Sequence, residues 1–126
     1  METIVNLRWK DGTWPNRRFL TLLCDHDSIR MLPETAYYIE SPQSEQIKWS
    51  LTSEKFRLRL FQKINTIVTP DGVDSVVKRI TFCQEGVDVE LFSKYDEENM
   101  YWIRRYIKDY VQEALETIDV KCHIDE

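Results

Sequence analysis

Glycine and proline are scarce in this chain, with three and four among 126 residues. The three glycines, Gly12, Gly72 and Gly86, stand alone, so no glycine-rich phosphate loop can be built from them. A Gly-x-Ser-x-Gly elbow and a paired metal-ligand motif of the helical kind are also missing. No apolar run approaches the ~18 residues that span a membrane, and low-complexity runs are absent. Cysteine is scarce too, and its count of three is odd and shows no framework spacing. The N-terminal METIVNLRWKDG lacks the basic-then-apolar layout of an export signal. The expected setting is therefore a reducing compartment, the cytoplasm, with free thiols. Net charge is −5, which argues against a general nucleic-acid binder and leaves room for a local basic patch.

What is present suits a single domain over residues 1–126: 42% hydrophobic and 31% charged residues, enough for a sizeable core. Aromatics are generous at 12%, including four Trp and six Tyr. Large rings of this kind suit a compact core or a partner surface.

Along the chain, residues 3–9 set Ile4 and Asn6 against Val5, Leu7 and Trp9, the alternation of a strand. Asp11-Gly12 and Pro15 signal a turn before a second strand at 17–24, so the pair is expected to form a long-tipped hairpin. Short strands follow at 28–32, 35–40 and 47–51, with a loop at 41–46. Residues 52–69 fit two templates. Phe56, Leu60, Ile64 and Ile67 recur at helical spacing behind Ser53 as N-cap, while Arg57 and Arg59 alternate with Phe56, Leu58 and Leu60 as in a strand. The alternation favours the strand. After a turn at 69–72, strands at 74–83 and 87–95 meet at Gln84-Glu85-Gly86, a hairpin signal.

Asp96 caps a long helix over about 97–118, with Glu97 and Glu98 where the helix dipole favours negative charge. Its expected buried face runs through Ile103, Tyr106, Ile107, Tyr110, Val111, Ala114, Leu115 and Ile118. The fold class is thus α+β: a mainly antiparallel sheet or partly closed barrel with one long C-terminal helix. The alternative is a ferredoxin-like βαββαβ unit over 47–126, with 52–68 as its first helix and 119–125 as its last strand.

Both histidines neighbour a cysteine: Cys24 with His26, and Cys122 with His123. Two Cys and two His would complete a zinc shell. Adjacent strand positions point to opposite faces, however, so Cys122 and His123 diverge. Cys24 continues the row of Leu20 and Leu22 as a small core residue would. Asp25 and Asp27 would favour an imidazolium at His26 but not a thiolate at Cys24. The cysteines read as packing, and no catalytic residue, metal ligand or cofactor is assigned.

Two segments bear a resemblance. WPNRRFLTLL at 14–23 is similar to the Trp-basic-aromatic second strand of pleckstrin-homology domains, and 87–107 resembles their last strand, acidic turn and C-terminal helix with its Trp, here Trp102. This resemblance implies a strand meander closed by one helix, used to bind proteins or lipid headgroups without catalysis. Lys10 and Arg18 would occupy the ends of the family's phosphoinositide motif, and Asn16 replaces a basic residue within it.

The reading is a small, non-catalytic, regulatory protein-binding module: an adaptor, inhibitor or assembly subunit. Its partner surface is expected at Trp9, Trp14, Arg17 and Arg18, because Trp and Arg are enriched at interface hot spots. The alternative is a binder of nucleic acid or a phosphorylated headgroup, a phospholipid's included, through Lys10, Arg57, Arg59 and Lys63. A homo-oligomer is compatible with either.

Overall fold

In strand β1 (Ile4–Arg8), Val5 and Leu7 are buried while Ile4, Asn6 and Arg8 are exposed, which is the alternation the sequence carries. The computed structural model describes residues 3–10, 18–24, 29–31, 53–64, 66–67, 76–83, 86–117 and 124–125. The strands expected at 35–40 and 47–51, the loop at 41–46 and the turn at 69–72 lie outside the described residues, as does Ile118.

Four further strands are β2 (Arg18–Cys24), β3 (Ile29–Met31), β4 (Val77–Cys83) and β5 (Gly86–Leu91). Together with β1 they make one antiparallel sheet in the order β1-β5-β4-β2-β3. The sheet is open, with β1 and β3 at its edges among the described residues. Past the end of β1, Trp9 bridges Ile124, and the Asp125 amide donates to the Arg8 carbonyl at 2.7 Å.

The expected β1–β2 hairpin does not form. The β4–β5 hairpin lies between the two strands, so β1 pairs with β5 and β2 with β4. Val77, Ile80, Phe82, Val87 and Val89 are fully buried, and the chain places this most apolar hairpin at the centre, where both neighbours cover it. The close pairing needs a glycine where β5 begins: a Cβ on Gly86 would run into the Leu7 carbonyl.

Residues Glu54–Ile64 form helix α1, not a strand. Ser53 Oγ accepts from the Phe56 amide at 3.2 Å and caps its start. Phe56, Leu60 and Ile64 are buried at helical spacing, whereas Leu58, which a strand would turn inward with Phe56, is 54% exposed. The Arg57/Arg59 alternation is too short to decide the period; the packing decides it. Phe56 meets Phe82 of β4 edge-on, with ring centroids 5.7 Å apart.

Helix α2 (Glu97–Glu116) begins as expected. Asp96 Oδ1 accepts from the Asn99 amide at 2.9 Å, with Glu97 and Glu98 in the first turn. Ile103, Ile107, Val111, Ala114 and Leu115 are buried. The two helices pack on each other and on one face of the sheet, sharing a single core with Val5, Leu7, Leu22, Ile80, Phe82, Val87 and Val89. The ferredoxin-like alternative is corrected in part. Its first helix is present, but β1, β2 and β3 belong to the same sheet as β4 and β5, so 47–126 is not a self-contained unit.

Candidate contact surface on helix α2

The buried stripe of α2 has an aromatic stripe beside it. Trp102, Tyr106 and Tyr110 each precede a core residue, Ile103, Ile107 and Val111, and repeat every four positions. Such spacing stacks side chains along one side of a helix. Trp102 and Tyr106 stack with centroids 6.2 Å apart and planes at 28°; Tyr106 and Tyr110 stack at 6.1 Å and 11°. Tyr101 meets Trp102 edge-on at 5.3 Å.

The row is held at one end and free at the other. Tyr110 is partly buried at the seam with α1, where Lys63 Nζ lies 5.8 Å from its ring and Thr66 Oγ1 donates to its hydroxyl at 3.3 Å. Toward the helix start, Tyr106 is 40%, Trp102 45% and Tyr101 58% exposed. The Arg105 guanidinium sits 5.9 Å from the Trp102 ring, a cation–π contact on the outward side. Tyr106, expected in the core, is therefore a surface residue: Ile103, Ile107, Val111, Ala114 and Leu115 already fill the helix's inner face.

Of the partner-surface residues singled out from sequence, Trp9 has its side chain described. Trp9 is only 7% exposed, because it shares the inward side of β1 with Val5 and Leu7; it is a core residue and not a contact residue. Arg18 opens β2. Trp14 and Arg17 lie outside the described residues, as do His26, Cys122 and His123. Cys24 is buried in the core and forms no disulfide.

The four proposed anion-binding cations are dispersed. Arg59 and Lys63, one turn apart on α1, both approach Glu113 Oε2 of α2, at 3.8 and 3.6 Å. Arg57, two positions from Arg59 and so on another side of the helix, lines a pocket of about 170 Å³ with Ile29, Leu58 and Phe61. Lys10 lines an open cleft of about 470 Å³ with Lys108, Asp109, Glu113 and Asp125, whose charges are mixed. A helical period separates what a strand period would have aligned. Among the described residues, no cluster of three or more His, Cys, Asp or Glu side chains could hold a metal ion. No described helix is long and apolar enough to cross a membrane.

The sequence reading missed Tyr101, Trp102 and Tyr106 as surface residues. The signal was the four-residue spacing of the rings next to a helix face already complete in aliphatics. No family model matches this chain, and neither a curated protein nor a solved structure matches it.

Proposed function

We propose that this protein is a non-catalytic protein-binding module that docks its partner on the outward face of α2. One observation carries this reading: three large rings, Tyr101, Trp102 and Tyr106, stand in contact with each other on the protein surface, next to Arg105. Trp, Tyr and Arg dominate interface hot spots. The anionic-ligand reading lacks comparable support, since Arg59 and Lys63 are offset by Glu113 and the other cations lie apart. The buried Cys24, which forms no disulfide, is in keeping with a reducing compartment, which we take to be the cytoplasm.

The test is quantitative capture from extracts of the native host, comparing the wild-type chain with a Tyr101→Ala/Trp102→Ala variant. Loss of two hot-spot rings should weaken retention of a specific partner at least about thirtyfold, with the melting temperature almost unchanged. An identical partner set held equally well by both proteins would remove the α2 face from consideration.

A further inference from the structure

Four outward residues of α2, Glu98, Tyr101, Trp102 and Arg105, occupy positions i, i+3, i+4 and i+7 and so make one continuous stripe. In chain order the stripe is acidic, aromatic, aromatic, basic. Read backwards it is basic, aromatic, aromatic, acidic, which is its own complement. We propose that this stripe binds the same stripe of a second copy of the chain, with the two helices antiparallel about a twofold axis passing between Tyr101 and Trp102. The proposal rests on the protein-binding reading above and names the partner.

A twofold interface sets residue i of one copy against j of the other, and j against i. Here the axis sets Glu98 against Arg105 of the second copy, twice, and Tyr101 against Trp102 of the second copy, twice. Among the described residues neither of these charges is ion-paired, whereas Arg59, Lys63, Lys78 and Arg79 are each ion-paired to a carboxylate. Arg105 instead lies over its own Trp102 ring, which holds its charge on the outward side. All four side chains are exposed.

The size of the surface sets the strength. Side chains of this type bury 150–250 Å² each, so the exposed parts of Tyr101 and Trp102 amount to about 200 Å² per copy. A stable interface buries at least about 1,200 Å² in all, so the rings supply only part of one and the pairing is a weak, concentration-dependent one.

Sedimentation equilibrium of the full chain across the micromolar to millimolar range tests this. The wild-type mass should rise from 15.2 kDa toward twice that value. Glu98→Lys and Arg105→Glu should each weaken dimerisation about tenfold or more, and the double variant, which carries the pair in reverse, should regain most of it. Trp102→Ala should stay monomeric throughout, and thermal melting of every variant checks that it is folded. A wild-type chain that is monomeric at all concentrations overturns self-pairing. So does a dimer that ignores both single reversals, or one that the double variant does not recover. If self-pairing fails while the Tyr101→Ala/Trp102→Ala variant still loses a captured partner, the protein-binding reading survives with a different partner; if neither mass nor capture responds, both fall.

Discussion

The two outward surfaces of this molecule differ in how they are satisfied. On the outer face of the sheet, cross-strand rows place Asn6, Asp88, Thr81 and Thr21 side by side, and then Ile4, Glu90, Arg79 and Leu23. Several of their polar groups find partners within the chain: Glu90 takes Lys78 at 3.6 Å and Arg79 at 3.8 Å, and the Thr21 and Thr81 hydroxyls meet at 3.4 Å. On the outer face of α2 the rings at the exposed end of the row meet each other and Arg105, and Glu98 and Arg105 carry no ion pair among the described residues. Across these rows the strands of the sheet supply partners for one another. The helix face keeps its large rings and its charges in water, and that difference directs the search for a binding site to α2 rather than to the sheet face.

The largest effect should come from breaking what the two surfaces share, the core between the layers. Phe56→Ala removes a fully buried ring that joins α1 to β4 and should cost about 4 kcal/mol of unfolding free energy in denaturant titration. Both outer surfaces should then lose protection from hydrogen exchange together; a loss confined to one layer would show that the layers are not held by a common core.

A smaller, one-sided effect is expected at the start of α2. Asp96→Ala deletes the side-chain acceptor of the Asn99 amide and should cost about 1 kcal/mol. Exchange should quicken over 97–101 and leave the sheet as it was, and contact through Tyr101 and Trp102 should weaken several-fold. Unchanged contact would mean that the first turn of α2 takes no part in it.

The smallest effect belongs to the sheet face. Glu90→Gln removes two ion pairs whose side chains are partly in solvent, so the loss should be about 0.5 kcal/mol and should shrink with added salt. Neither self-association nor partner capture should change. If capture fell with Glu90→Gln and not with Trp102→Ala, the contrast between the two faces would be inverted.

Much of the architecture is legible in the sequence. Val5 and Leu7 alternate inward, β4 and β5 pair antiparallel on either side of positions 84–85, and Asp96 caps α2. The candidate site is not, because the sequence singles out tryptophans flanked by arginines, and Trp9 falls on the buried side of its strand. Tyr106 reads as core from the sequence because apolar character alone does not tell a second stripe from the first, whereas Tyr110 does pack against the core.

The sequence by itself determined the local matters: the period of β1, the cap and inner face of α2, and the α+β class. These depend on neighbours within a turn or two of the chain, where spacing and side-chain chemistry act directly. Only the tertiary structure decided that β5 pairs with β1, that 54–64 is helical, and that the row of rings passes from cover at Tyr110 to solvent at Trp102. Each of these depends on a surface supplied by a distant part of the chain: the Phe82 ring under Phe56, the Leu7 carbonyl against Gly86, and Lys63 and Thr66 over Tyr110. Periodicity says which residues share a side, and what covers that side is settled only when the layers pack.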